Sequence, residues 1–213
     1  MDRIGWWATH EYKRRSIKKQ YKDWPGWTRF MMIFAGADRA PHPEDSKKYA
    51  TILFETGCRI SEVILLKKDM FTWNDGAVIG WHVPVLKKKG ETDATREVMI
   101  KLDERNPLGY ALVEYLEACE TEYLLPGLVP FSRAVRPGAH ASRKTCYNRI
   151  TEMHKDLFPH ILRGYRAGML VNERNFSMRQ LMGWFDWKSA DMATHYTKIR
   201  DMAASMGIKK IPL

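Results

Sequence analysis

Five residues of this chain have side chains and spacings that suit chemistry on a phosphate ester. Arg59 is followed three residues later by the carboxylate of Glu62, so the two can pair across one helical turn. His160 and Arg163 have the same spacing, and a helix would present them on one face. Tyr196 stands near the end of the 213-residue chain. Two cations, a histidine and a phenol are the groups that transfer through a covalent phosphate intermediate requires.

These residue types would suit transesterification at a phosphodiester such as that of DNA. Arg59 and Arg163 can clamp the nonbridging oxygens in bidentate fashion and keep their charge at physiological pH. Tyr196 is a poor nucleophile at its ordinary pKa of about 10, until surrounding cations stabilise the phenolate. His160 can donate to the phosphate or accept the phenol proton. Because a 3′-phosphotyrosine keeps the energy of the broken bond, we expect no metal, ATP or other cofactor.

The order of these residues resembles that of the tyrosine recombinase family, of the phage-integrase type. The resemblance covers about residues 45–200. It is carried by Thr-Gly-Cys-Arg-Ile-Ser-Glu-Val at 56–63, His-Ile-Leu-Arg at 160–163, Met-Gly-Trp at 182–184 and the tyrosine at 196. It implies a mostly helical catalytic domain that cuts and rejoins DNA strands.

The resemblance implies three further roles. A hairpin lysine would protonate the leaving 5′-oxygen, and Lys89 or Lys88 fits, with Lys89 preferred. A tryptophan would complete the phosphate site; Trp184 fits by its Gly-Trp context and is preferred, whereas Trp187 fits by its distance to the tyrosine. Glu62 would orient the arginines rather than react.

The charge of the chain favours a polyanionic partner. Lysine and arginine number 35 against 25 acidic residues, which gives a net charge of +10, and the excess lies toward the two ends of the sequence. Tyrosines are interleaved among the N-terminal basic residues, a pattern that suits nucleic acid better than a membrane surface. The predicted DNA contacts are Lys13, Arg14, Arg15, Lys18, Lys19 and, beside the hairpin lysines, Lys87.

Several classes of protein are excluded by the same composition. No stretch is apolar enough for a transmembrane segment or a signal peptide. The three cysteines are too few for a disulfide framework, and none has zinc-ligand spacing to histidine. We therefore expect a reduced, cytoplasmic protein with no bound metal, and the resemblance implies a prokaryotic, viral or plasmid origin.

Periodicity predicts an α+β fold, mostly α-helical with one small antiparallel sheet. Helices are expected from Asp45 or Ser46 to Gly57, from Ser61, after Pro107, over 142–157 and 160–173, from Ser177, and around Tyr196 toward Ser205. About three strands are expected between residues 70 and 100, and a loop over 124–141. Residues 1–43 are predicted as a basic segment and linker, and residues 44–213 as the catalytic domain with a tail helix.

The sequence thus predicts a site-specific recombinase that acts on double-stranded DNA. We expect a monomer in solution that assembles into a tetramer on paired sites through its C-terminal tail. Two alternatives remain open: a type IB topoisomerase-like enzyme, which shares the chemistry, and a catalytically silent DNA-binding protein of the same fold.

Overall fold

The computed structural model describes residues 26–74, 78–84, 95–101, 107–129, 134–194 and 196–197. Its helices are α1 (Gly26–Ala35), α2 (Pro43–Thr56), α3 (Ile60–Val63), α4 (Pro107–Glu117), α5 (Arg143–Met153), α6 (Pro159–Asn172) and α7 (Met178–Phe185). Its strands are β1 (Phe71–Asn74), β2 (Val78–Pro84), β3 (Thr95–Lys101), β4 (Pro126–Leu128) and β5 (Val135–His140). Residues 190–194 and 196–197 are also helical, as predicted around Tyr196.

Local signals in the sequence set the ends of the main helices. Helix α2 begins with a proline in its first turn and ends at Gly57, whose N–H donates to the Leu53 carbonyl at 3.0 Å. The Ser142 hydroxyl caps α5 by accepting from the Thr145 N–H. Ser177 and Gln180 form the predicted capping box of α7. The helices predicted between residues 45 and 185 are therefore confirmed within a few residues, whereas the predicted extension toward Ser205 lies outside the described residues.

The predicted three-stranded sheet is also confirmed. Strands β1, β2 and β3 form an antiparallel meander in which Trp81 pairs with Phe71 on one side and Val98 on the other. Trp81 and Val98 are buried, whereas their neighbours His82 and Glu97 are exposed. This alternation packs one face of the sheet against the helices.

The predicted loop over residues 124–141 is wrong in part, because β4 and β5 pair there as a second antiparallel sheet. Prolines and glycines in this segment indicate a loop, but both strands of a two-stranded hairpin are edge strands, which tolerate proline. Pro126 and Pro137 can therefore lie in its strands without breaking an interior ladder. Gly138 has a φ of +64°, which a glycine adopts without strain.

Helix α1 was not expected from the sequence, since its residues show no clear apolar period. Phe30 is fully buried, and its ring lies 4.8 Å from that of Phe54 in α2. Ile33 is buried in the same core. Residues 26–35, which we assign to the N-terminal segment, thus pack on the core of the domain predicted to begin at residue 44.

A buried ion pair fastens α6 to α2. Arg166 donates to both carboxylate oxygens of Glu55, at 2.9 and 3.2 Å, and neither side chain is exposed. Burial lowers the pKa of Arg166, and Glu55 opposes this shift. The helix that carries His160 and Arg163 is therefore held to the helix that precedes Gly57.

Glu55→Gln should lower the free energy of unfolding by about 3–5 kcal/mol, because it leaves the buried Arg166 charge uncompensated. Urea unfolding measures this loss. Glu114→Gln, at an exposed carboxylate of α4, is the control. A loss of about 1 kcal/mol or less, as for a surface pair, would contradict the assigned role.

No helix in the described part of the chain is long and apolar enough to cross a membrane. All three cysteines are unpaired and buried.

Candidate phosphate site

The turn after α2 brings backbone and aromatic groups into close contact at Gly57. This residue has a φ of +60°, in the left-handed region. A Cβ placed here would lie 2.6 Å from Cε1 of Phe185 and 3.3 Å from Nε1 of Trp184. Conformation and space therefore both require glycine.

Arg59, which follows this turn, is fixed by Glu62. One carboxylate oxygen accepts from the Arg59 backbone N–H at 2.8 Å, and the other accepts from Nη1 at 2.6 Å. The Glu62 side chain is 1% exposed and that of Arg59 is 23% exposed. Glu62 thus holds an arginine whose side chain still reaches solvent.

Arg163 lies on α6, is only 4% exposed and contacts the same turn. Its Nη1 donates to the Gly57 carbonyl, and its Nη2 donates to the Phe185 carbonyl at 2.7 Å. The guanidinium carbon lies 4.7 Å from the centre of the Phe185 ring. Burial, together with the charges of Arg96 and Arg59, lowers the pKa of Arg163 to about 10, so its guanidinium remains charged at neutral pH.

No sequence pattern points to Arg96, yet it lies at this site. It is buried on β3 and donates to the Trp184 carbonyl and to Sγ of Cys58, the latter at 3.4 Å. Its Nη2 lies 3.8 Å from Glu62. The only available signal is the position of Arg96 at the start of the strand that returns from the lysine-rich segment.

Positive charge therefore exceeds negative charge at this site within the described residues. Arg59 and Arg96 lie close enough to act electrostatically on Arg163, and Glu62 is the carboxylate placed among the three. Buried charges are costly unless paired. An arrangement of three guanidiniums around one carboxylate suits a further anion.

His160 lies one turn before Arg163 in α6 and is exposed. The two residues share a helix face as predicted, but the histidine is at the solvent end of it. His160 is thus three residues from Arg163 on the same helix and open to solvent.

The two candidate tryptophans have different surroundings. Trp184 is buried edge-on against Trp81 and Phe176, at 5.6 Å in each case, and its indole N–H has no hydrogen-bond partner in the described structure. Trp187 is half-buried and stacks on Phe185, with ring centres 4.6 Å apart. The preferred candidate, Trp184, therefore lies in the core, and Trp187 lies nearer the surface.

Tyr196 stacks on Trp187. The ring centres are 5.6 Å apart, the planes differ by 7°, and the tyrosine is 7% exposed. Through Trp187 and Phe185 it is connected to Arg163 by continuous contacts. Two aromatic rings, those of Trp187 and Phe185, therefore lie between Tyr196 and Arg163 in this series of contacts.

Helix α5 offers a polar face that the sequence does not single out. Arg143, Lys144, Tyr147 and Asn148 are exposed, and at 3.6 residues per turn they fall within about 140° of the helix circumference. Cys146 and Ile150 are buried and lie outside this arc. We call these four exposed residues the α5 face.

The remaining predicted residues lie outside the described part of the chain. These are Lys13, Arg14, Arg15, Lys18, Lys19, Lys87, Lys88 and Lys89, together with the tail beyond Thr197. Their roles stay predictions.

Comparison with known proteins gives a consistent result. The model of the phage integrase family matches residues 29–202. XerH site-specific recombinase bound to difH substrate, in a pre-cleavage complex, has a TM-score of 0.58 at 18% identity, over 86% of this chain and 53% of XerH. XerA recombinase has a TM-score of 0.56 at 19% identity, over 84% of this chain and 62% of XerA.

Tn1549 transposon integrase in complex with a circular intermediate DNA has a TM-score of 0.52 at 13% identity, over 84% of this chain and 63% of that integrase. The chain therefore spans between half and two thirds of the length of these three proteins. No curated protein matches the sequence. The predicted fold class, mostly helical with small antiparallel sheets, is confirmed.

Proposed function

The chain belongs to the phage integrase family, and from that premise we propose that it is a tyrosine recombinase that cuts and rejoins double-stranded DNA. The observation that carries the proposal is the excess of positive charge where Arg59, Arg96 and Arg163 surround Glu62. A phosphodiester is an anion whose charge grows as it is attacked. A fixed set of guanidiniums stabilises that charge without reorganising.

The proposed reaction proceeds in two balanced steps. In the first, Oη of Tyr196 bonds to the phosphorus and the bond to the 5′-oxygen breaks. The phenol proton passes to His160, and the 5′-oxygen takes a proton from Lys89 or Lys88. In the second, a 5′-hydroxyl attacks the phosphotyrosine and gives its proton to the lysine, while the bond to Tyr196 breaks and its Oη takes the proton back from His160. Arg59 and Arg163 hold the nonbridging oxygens throughout, and neither metal nor ATP takes part.

The α5 face supports a DNA contact outside the reacting centre. Two cations can bind phosphates, and an amide and a phenol can contact base edges. XerH and Tn1549 integrase are both seen bound to DNA. We propose that this chain binds a duplex with the α5 face and with the N-terminal basic residues.

The double variant Arg143→Ala/Lys144→Ala should make DNA binding less dependent on salt. Each lost phosphate contact reduces the slope of log K against log[salt] by about 0.9. Fluorescence anisotropy across a salt series measures it, with Lys155→Ala, an exposed lysine after α5, as the control. An unchanged slope would place the duplex elsewhere.

Covalent trapping on a nicked duplex tests the proposed function. The parent chain should give a denaturant-resistant protein–DNA band with the strand joined by its 3′-phosphate. Strand exchange between two duplexes should follow. No band would indicate a silent DNA-binding protein, and relaxation of supercoils without strand exchange would indicate a topoisomerase.

We also propose that the protein is a monomer in solution and assembles into a tetramer on paired sites. Sedimentation with DNA that carries one site or two sites measures this assembly.

A further inference from the structure

Arg96 occupies an inward-facing position of the three-stranded sheet. It pairs with the buried Val83 of β2, and the alternation that buries Val98 also turns Arg96 toward the helices. Its side chain is 6% exposed. Because a buried cation is costly unless it has partners, the groups around Arg96 indicate what it does there.

The Arg96 guanidinium has partners on two separate segments of the chain. Nη1 donates to the Trp184 carbonyl in the last turn of α7, and Nη2 donates to Sγ of Cys58 at 3.4 Å. Nη2 also lies 3.8 Å from Oε2 of Glu62. Arg96 therefore connects β3 both to the end of α7 and to the turn that carries Arg59.

The carboxylate of Glu62 is shared between Arg96 and Arg59. Oε1 accepts from Nη1 of Arg59 at 2.6 Å, whereas Oε2 accepts from the Arg59 backbone N–H at 2.8 Å and lies near Arg96. Two guanidiniums beside one carboxylate leave one positive charge. Without Arg96, Arg59 alone would balance the charge of Glu62, and less of its attraction would remain for a phosphate.

Arg96 and Arg59 differ in their access to a phosphate. Both terminal nitrogens of Arg96 have partners inside the protein, and its side chain is 6% exposed, compared with 23% for Arg59. An effect of Arg96 on the reaction therefore passes through a neighbour. Glu62 is the neighbour that also holds Arg59.

We infer that Arg96 is a positioning residue, which holds Glu62 and shares its charge so that the Arg59 guanidinium stays oriented and available to the phosphate. This inference rests on the proposed function. It assigns Arg96 an effect on the rate of the reaction and no contact with DNA.

A double-mutant cycle between Arg96→Met and Glu62→Gln tests this role in single-turnover formation of the covalent adduct. Methionine fills much of the same space without a charge. Arg96→Met should slow the adduct about 100-fold, as displacement of a reacting group does, with DNA affinity unchanged. Because both changes act through one carboxylate, the double variant should be no slower than the slower single variant.

Two further variants complete the comparison. Arg96→Lys keeps the charge but not the planar fork, so it should recover about tenfold of the loss. Arg179→Met removes an exposed arginine of α7 and is the matched control, with an unchanged rate. Thermal unfolding checks the fold of each variant. If the methionine variant is unstable, Arg96→Lys takes its place in the cycle.

Three results would overturn the positioning role. Additive losses in the cycle would show that Arg96 acts independently of Glu62, and a rate for Arg96→Met equal to that of the parent would show that it has no role. A substrate with a bridging 5′-sulfur needs no proton donor, because a thiolate leaves readily. If that substrate restored the rate of Arg96→Met, Arg96 would act through the donor to the leaving oxygen. A parent that forms no adduct would instead refute the proposed function.

Discussion

Tyr196→Phe should bind DNA as tightly as the parent and form no covalent adduct. Phenylalanine keeps the ring that stacks on Trp187, so the change removes the hydroxyl and little else. Loss of a nucleophile lowers the rate by roughly 10⁴-fold or more. Electrophoresis in denaturant after incubation with a nicked duplex measures the adduct, and anisotropy measures binding.

Tyr49→Phe provides the matched control, because Tyr49 is another buried tyrosine of the domain. Burial, with Cys146 and Asp45 nearby, raises the pKa of Tyr49, which makes its phenol a poor nucleophile. Its removal should leave adduct formation intact. Undiminished adduct in Tyr196→Phe would mean that another residue attacks the DNA.

Arg59→Ala should slow adduct formation about 10²–10³-fold, as removal of one oxyanion donor does in other enzymes. The Arg59 side chain is 23% exposed, whereas Arg96 and Arg163 are buried. Its guanidinium is therefore the most accessible of the three to a phosphate. Arg59→Lys keeps the charge but not the bidentate geometry and should fall between parent and alanine. Single-turnover rates at saturating protein separate this effect from binding.

Arg163→Ala should produce a comparable loss, but it also leaves the carbonyls of Gly57 and Phe185 without the donor they have here. Arg59 therefore gives the cleaner test. Arg179→Ala, an exposed arginine of α7, serves as the control for general loss of charge. Rates within threefold of the parent for both site variants would show that these arginines are structural.

Secondary structure was predictable wherever a local signal was sufficient. Caps at Ser142 and Ser177 and the alternation around Trp81 fix their elements without help from distant residues. Helix α1 gives no such signal, because its apolar residues point both inward and outward: Phe30 is buried and Met32 is exposed. The hairpin of β4 and β5 is stabilised by pairing between segments that each resemble a loop.

In the candidate site, too, local contacts were predictable from the sequence and long-range contacts were not. Arg59 and Glu62 pair within one turn, and His160 and Arg163 lie on one helix, so spacing alone predicts both associations. Arg96 contacts a carbonyl 88 residues away, a distance that periodicity cannot span. Trp187 stacks on Tyr196, whereas Trp184 packs against Trp81 and Phe176, a difference that depends on tertiary packing.

The contact between Gly57 and Phe185 makes two distant stretches of sequence interdependent. Any side chain at position 57 would collide with the Phe185 ring, so the residues tolerated in the first stretch depend on the second. A smaller residue at 185 would create that space, but it would remove the surface on which Trp187 rests. Changes at these two positions should therefore be non-additive. In a library that varies only residues 56–63, most sequences would therefore carry a side chain at position 57 that collides with Phe185.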